Sequence, residues 1–360
     1  MKRSLTQLGG EKNYREVHSK EKVEQRKRQH IDICLHERVE GERMSTGLER
    51  YRFRHRALPE LDFSEIRTDT VFLNRKINAP FFISSMTGGT GQAMDINRNL
   101  AQLAQKRGWA FGVGSLRAAI EHPELLGSFR VRSYAPDIPI LANLGAVQLN
   151  YGFGYEECMR AVEWIEADAL VLHLNSLQEV FQPEGNTNFR GLLNRILALC
   201  RRMPIPVGIK EVGWGIDSDL AVQLAEAGVS FLDVAGAGGT SWILVEKHRS
   251  SDPIKRAAAD AFADWGIPTA DCVREVRARL PETLLIASGG LANGVEAAKA
   301  IALGADLAGF GRSLLSSAVT SLERLDELAE RLEFELRTAM FGIGAASIRE
   351  LRSTPRLMRI

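Results

Sequence analysis

Residues 169–173 read Ala-Leu-Val-Leu-His, four apolar side chains in a row closed by one polar residue. A run this short, with no alternation, suits a parallel strand buried on both faces. Seven runs of the same kind flank it: Pro80–Ser85, Ala110–Gly114, Pro139–Asn143, Pro206–Lys210, Phe231–Ala235, Leu284–Ser288 and Leu307–Gly311. Segments of helical period fill most of the gaps, among them Asp95–Arg107, Glu156–Glu166, Leu220–Ala227 and Val295–Leu303. Eight strand–helix units predict an α/β fold, a (β/α)8 TIM barrel. The competing fold is a doubly wound open sheet. Its fingerprint is missing: no strand is followed by GxGxxG with an acidic residue about 20 positions on.

The regular alternation begins near Ala79. We therefore divide the chain into a flexible basic extension at 1–25, an N-terminal arm or lid at 26–79, the barrel at 80–346 and a C-terminal tail at 347–360. Hydrophobic content of 45% and charged content of 25% are ordinary for a globular protein, which argues against a disordered or collagen-like chain. No apolar run is long enough to span a membrane, and the N-terminus lacks the apolar core of a signal peptide. Four cysteines lie far apart with no metal-binding spacing, so a reduced, cytoplasmic setting is expected. The net charge of +1 gives no warrant for a general nucleic-acid binder. It averages two unlike parts, however. Residues 1–56 carry 15 Lys+Arg against 9 Asp+Glu, and the rest carries 31 against 36.

A barrel carries its active site where its strands end. The residues there are Ser85-Met86-Thr87-Gly88-Gly89, Ser115, Asn143, His173-Leu174-Asn175, Lys210-Glu211, Gly236 to Thr240, Ser288-Gly289-Gly290 and Gly309 to Arg312. Chance would scatter so many hydroxyls, amides and glycines. Gly289-Gly290 and Gly311-Arg312 follow the seventh and eighth runs, where barrels bind phosphate through backbone N–H groups and a helix N-terminus. Taken singly, each turn also fits tight helix–strand packing. Arg312 is placed to add a charge-assisted contact. Lys210 ends a buried strand, which leaves four roles open: Schiff-base nucleophile, general acid or base, fixed charge beside an anionic cofactor, or half of an ion pair. Glu211, one residue on, is expected to point to the opposite face. His173 and Asn175, two apart, are expected on the same side. Glu179 is a candidate for a hard cation such as Mg2+, although spacing alone favours a surface carboxylate. Arg26-Lys27-Arg28-Gln29-His30 reads alone as a solvated charge run. Beside a phosphate-binding barrel, Arg26, Lys27 and His30 become candidate clamps on a diphosphate, with Ser115-Leu116-Arg117 as a second clamp.

Taken together, nine runs resemble the type 2, FMN-dependent isopentenyl-diphosphate delta-isomerase family. They are Arg26–His30 (RKRQH), Met86–Gly89 (MTGG), Gly112–Arg117 (GVGSLR), Ala142–Gly145 (ANLG), His173–Gln182 (HLNSLQEVFQ), Val207–Gly213 (VGIKEVG), Gly236–Trp242 (GAGGTSW), Ala287–Gly290 (ASGG) and Gly304–Gly309 (GADLAG). The resemblance extends from about Arg26 to Ala346. It implies a barrel that binds FMN, active when reduced, and Mg2+, with NADPH or NADH as reductant. The implied reaction is the 1,3-allylic double-bond shift between isopentenyl and dimethylallyl diphosphate, in isoprenoid biosynthesis. The resemblance also implies flavin contacts at Ser85, Met86, Thr87, Ser115, Asn143, Lys210 and Thr240, with the flavin phosphate on Gly289, Gly290, Gly311 and Arg312. Arg26, Lys27, His30, Ser115 and Arg117 would bind substrate, and His173 and Asn175 would line its site. Gln178 would lie near the alkene and Glu179 would hold Mg2+. Lys210, Gln178 and His173 are the catalytic candidates. Symmetric homo-oligomers, tetramers or octamers, are implied as well. Gly208, in the run VGIK, is less bulky than usual, which bears on packing more than on chemistry.

Such a shift adds a proton at one end of an allylic unit and removes one at the other. The intermediate state resembles a tertiary carbocation, so its site should be apolar, dry and electron-rich. The resemblance assigns the proton transfers to the N5 region of reduced flavin, and we expect Lys210, near the pyrimidine edge, to keep that flavin anionic. The basic arm is expected to close over the diphosphate when substrate and Mg2+ are present. Other readings differ in what they require. A 2-hydroxy-acid oxidase on an FMN barrel wants a strand-end His–Arg pair. A nucleotide dehydrogenase wants a loop cysteine, and none of the four follows an expected strand end. An aldolase-type lyase would use Lys210 as a Schiff base. A nucleic-acid binder would use the basic arm, which lacks interleaved aromatics.

Overall fold

All eight expected runs form strands: β1 Phe81–Ile83, β2 Ala110–Gly112, β3 Ile140–Gly145, β4 Ala169–His173, β5 Val207–Lys210, β6 Phe231–Asp233, β7 Leu284–Ala287 and β8 Leu307–Phe310. The computed structural model describes residues 5–360, with side chains from Lys20 onward. Neighbouring strands pair in parallel, and β8 returns to β1 through Ala308–Phe81, Gly309–Phe82 and Phe310–Ile83. That closure makes the sheet a barrel and excludes the open doubly wound alternative. The four expected helices are present at Gly91–Arg107, Tyr155–Ile165, Ser218–Glu226 and Gly294–Ala302. Their starts are capped as the sequence allows. Thr90 and Asn293 accept from the backbone three residues on, and Asp217 from the second and third residues on.

Side chains alternate along each strand, so one parity points into the barrel. Phe82, Ala110, Leu141, Val171, Phe231, Ile286 and Leu307 hold that parity and form one apolar layer. β5 contributes Gly208 instead. A Cβ at Gly208 would lie 2.1 Å from the Phe231 ring, so Phe231 occupies the space that a β5 side chain would fill. Two residues further along each strand, the same parity gives Ser84, Gly112, Asn143, His173, Lys210, Asp233, Ser288 and Gly309. The barrel thus carries an apolar layer below and a polar layer above. The outward parity, including Phe81, Leu170, Ile209, Leu232 and Phe310, packs under the surrounding helices.

A hairpin, Thr70–Phe72 with Arg75–Ile77, plugs the opposite end. Its Phe72 meets Phe231 edge-on at 5.7 Å. Water is therefore excluded from below the apolar layer. The helix Leu5–His36 runs through the boundary expected after residue 25, while Met1–Ser4, part of the expected flexible extension, lie outside the described residues. Ile31 is buried, and His30 meets Trp242 edge-on at 5.1 Å, so this helix is docked on the barrel mouth. Within the expected tail, Ile348–Arg352 is helical and Leu357–Arg359 pairs antiparallel with Tyr51–Phe53 of the arm. Among the described residues no helix is long and apolar enough to cross a membrane.

Gly208 provides a test of the two-layer packing. Gly208→Val should destabilise the protein by about 1–3 kcal/mol, because the ring of Phe231 has nowhere to go inside a close-packed layer. Chemical denaturation of the two proteins measures this, and an unchanged midpoint would contradict the packing described.

Candidate active site

The polar layer and the loops above it enclose a cavity of about 500 Å³. Every site residue expected from the sequence lines it. Ser85, Met86 and Thr87 follow β1. Ser115 and Arg117 follow β2, and Asn143 lies on β3. His173 ends β4, with Asn175, Gln178 and Glu179 just beyond. Lys210 ends β5 and Thr240 follows β6. Gly289, Gly290, Gly311 and Arg312 follow β7 and β8, and Arg26, Lys27 and His30 reach in from the arm. The two expectations of side-chain direction also hold. His173 and Asn175 share the cavity. The Glu211 carboxylate turns back onto the backbone N–H groups of Val212, Gly213 and Trp214 at 2.6–2.7 Å.

Cations gather on the arm side. Arg26 pairs with Glu184 at 3.2 Å. Arg117 pairs with Glu121 at 2.8 Å and donates to Asn186 Oδ1 at 3.0 Å. Burial, then the like charges of Arg26 and Arg117, push the Lys27 ammonium down to about 7. Three basic groups this close are suited to a polyanion. Arg312, expected to be free for phosphate, is paired with Glu40 of the arm. His30 also differs from its expected role. Burial holds its imidazole down to about 4, against the pull of Glu246. It is therefore a neutral hydrogen-bonding group rather than a cationic clamp.

The wall between these cations and β5 is polar, and His173 and Gln178 are its uncharged members. Burial, then Lys210, Lys27 and Arg117, push His173 down to about 3. Its Nδ1–H donates to Asn143 Oδ1 at 2.8 Å, which fixes the ring and turns Nε2 away from that bond. Gln178 donates to Glu246 Oε1 at 3.3 Å, and His30 Nε2 lies 2.9 Å from the same oxygen. Arg249 pairs with the other Glu246 oxygen. Glu179 is buried, accepting from Asn175 Nδ2 at 2.9 Å and from the Asn186 N–H at 2.5 Å. Among the described residues no group of three carboxylate, histidine or cysteine ligands could hold a metal. A cation at Glu179 would need oxygens from a bound anion and water.

On the β1, β7 and β8 side the cavity presents donors in want of a ligand. Ser84 Oγ, Ser85 Oγ and Thr87 Oγ1 are buried with no hydrogen-bond partner among the described residues. Leaving such groups unmet costs about 1–3 kcal/mol each. Gly289 and Gly290 line the cavity with φ of 103° and 79°, a conformation that residues with a Cβ rarely adopt. The helix Arg312–Thr320 starts beside them. This face is suited to a phosphate-bearing cofactor.

Three residues in or behind the cavity wall lie outside the strand-end reading. Ser84 was signalled by the two-residue period from Phe82. Glu246, wholly buried after Ile243, Leu244 and Val245, was signalled by a carboxylate interrupting an apolar helix face. Asn186, which joins Arg117, Gln148 and Glu179, sits in a loop and has no sequence signal.

A family model described as FMN-dependent dehydrogenase matches residues 158–358. An isopentenyl-diphosphate delta-isomerase of Oceanobacillus iheyensis is 52% identical over 335 residues, which is 93% of this chain and 96% of that protein. One from a Synechococcus strain is 53% identical over 317 residues, 88% of this chain and 91% of that protein. In structure the chain is similar to a mandelate oxidase variant, with a TM-score of 0.61 at 18% identity over 87% of this chain and 89% of that one. It is likewise similar to a lactate oxidase of Pediococcus acidilactici, with a TM-score of 0.61 at 16% identity over 87% and 84%. The last two likenesses concern the fold.

Lys27 gives the cation subsite a pH signature. An anion binds the ammonium form, so affinity for inorganic pyrophosphate should fall as pH rises through about 7. Calorimetric titration from pH 6 to 8.5 should show wild type losing roughly tenfold more affinity than Lys27→Met, which has no such charge to lose. Equal slopes for the two proteins would remove Lys27 from the subsite.

Proposed function

We infer the activity from one premise: the chain belongs to the FMN-dependent dehydrogenase family and, within it, to the isopentenyl-diphosphate delta-isomerase family. The protein interconverts isopentenyl diphosphate and dimethylallyl diphosphate by a 1,3-allylic shift and uses FMN. The observation that carries this reading is a single cavity joining a cation subsite, a polar wall and a face of unmet hydroxyls.

The residues present fit FMN. Ser85 and Thr87 offer buried hydroxyls without partners, and Gly289, Gly290 and the start of the helix Arg312–Thr320 offer N–H groups to a phosphate. Met86, Ser115, Asn143 and Thr240 complete the proposed flavin contacts. Bound and reduced, FMN supplies an electron-rich face that gives and takes a proton, with NADPH or NADH as the proposed reductant. Lys210 sets a buried positive charge on that side of the cavity, and its Nζ donates to the Glu211 carbonyl at 2.5 Å. Arg26, Lys27 and Arg117 bind the diphosphate, with His30 adding a neutral hydrogen bond. Glu179 would hold Mg2+. His173 and Gln178 face the hydrocarbon as fixed dipoles that neither add charge nor admit water. Asn175 fixes Gln178 and Glu179 through its amide. The arm keeps this chamber dry, and a symmetric homo-oligomer, tetramer or octamer, is part of the same proposal.

Protein loaded with FMN, reduced without oxygen and given Mg2+, should convert isopentenyl to dimethylallyl diphosphate, followed by proton NMR. No conversion with FMN bound and reduced would overturn the reading. Lys210→Ala should lower kcat by on the order of 100-fold and leave KM within a few-fold, since a charge acting on the reaction and not on the diphosphate has been removed. Glu179→Gln should raise the Mg2+ needed for half-maximal rate by roughly tenfold or more, with FMN absorbance unchanged.

A further inference from the structure

We propose that Asp233 is a positioning residue, the buried counter-charge that holds Lys210 as an ammonium facing the cavity. The proposal deepens the role given to Lys210 above and rests on it. The β5–β6 ladder pairs Lys210 directly with Asp233, and directly paired residues of parallel strands point to the same side. Both belong to the polar layer, two residues above Gly208 and Phe231. Asp233 is almost completely buried. Its Oδ1 accepts from Ser288 Oγ at 2.5 Å and from the Ala235 N–H at 3.3 Å. Its Oδ2 is buried with no partner among the described residues. A carboxylate in a closed layer with one bare oxygen needs a cation nearby.

Lys210 supplies it. Among the described residues Lys210 forms no ion pair, and its hydrogen bond goes to a main-chain carbonyl. Of the two carboxylates that favour its ammonium, Asp233 acts more strongly than Glu211. His173 on β4 is neutral, and the Glu211 carboxylate is taken by the N–H groups of the turn that follows. Burial pulls Lys210 down and Asp233 up, and each opposes the shift of the other. Ser288, which opens the glycine turn after β7, steadies the carboxylate by its hydroxyl. The charge at the cavity wall thus depends on a group one step behind it, which lines neither cofactor nor substrate space.

The experiment uses the FMN-loaded protein and measures affinity for oxidised and for reduced FMN at pH 7 and pH 9. Asp233→Asn should bind oxidised FMN within about twofold of wild type. Its preference for reduced FMN should fall about tenfold, which is about 30 mV for a two-electron couple. The loss should deepen at pH 9, where a Lys210 without its counter-charge is neutral. Lys210→Met should show the same loss at both pH values, and the double variant should lose no more than Lys210→Met alone. A merely structural role would weaken both redox states equally and leave their ratio in place. A normal ratio in Asp233→Asn beside a lowered one in Lys210→Met overturns the assignment of Asp233 alone. A normal ratio in Lys210→Met overturns both. Where Asp233→Asn does not fold, Ser288→Ala removes the hydrogen bond on Oδ1 and should shift the ratio in the same direction by less. An unshifted ratio there also overturns the assignment.

Discussion

Closure of β8 onto β1 is the constraint on which the rest of the molecule depends. Once the parallel ladder closes, all eight strand ends lie around one mouth, and the two-residue period of a strand becomes a set of horizontal layers. The lower layer is apolar and is sealed from beneath by Phe72. The upper layer then has to be polar to be useful, and it is shielded from water on its lower side. Gly112 and Gly309 set the remaining space. A Cβ at Gly309 would crowd Ser84 Oγ at 2.9 Å and Ser288 Cβ at 2.7 Å. The cavity exists because small residues occupy inward positions where larger side chains would fill it.

Dryness decides the charges. Burial is the first cause of the shifts at Lys27, His30, His173 and Lys210, and in each it favours the neutral form. The histidines yield and become neutral. The arginines cannot, and so they are held on the rim. Their partners Glu184, Glu121 and Glu40 have side chains 50%, 34% and 46% exposed. Ion pairs to carboxylates this exposed are worth about 0–1 kcal/mol. A diphosphate or a flavin phosphate can displace them at little cost, so these pairs keep the cations oriented without competing for the ligand.

The strands were legible because a run such as Ala169–His173 is buried on both faces and cannot alternate. The cavity was legible because polar residues ended those runs, which is how Asn143, His173 and Lys210 were identified. What escaped was set by tertiary contact. Glu246 interrupts an apolar helix face, but its partner His30 is brought to it from 216 residues away. Asn186 depends on a loop conformation that no periodicity encodes. The charge state of His30 was illegible for a related reason. A run of Arg-Lys-Arg-Gln-His suggests cations, and only docking on Trp242 makes one of them neutral.

The fold by itself does not choose the reaction, since oxidase barrels share it. The histidines do bear on the choice. Removing a proton from a 2-hydroxy acid needs an imidazole basic enough to keep it, and an oxidase was expected to bring one to a strand end beside an arginine. The strand-end histidine here is His173, and burial together with Lys210, Lys27 and Arg117 holds it down to about 3. An imidazole with that proton affinity is a poor general base at neutral pH. It is well suited to a different task, a polar but uncharged surface beside a developing carbocation. A charged imidazole there would repel the cation, and Lys27 and Arg117, two of the three groups proposed to bind the diphosphate, act with burial and Lys210 to keep His173 uncharged. Substrate anchoring and transition-state tolerance are therefore consequences of one electrostatic arrangement.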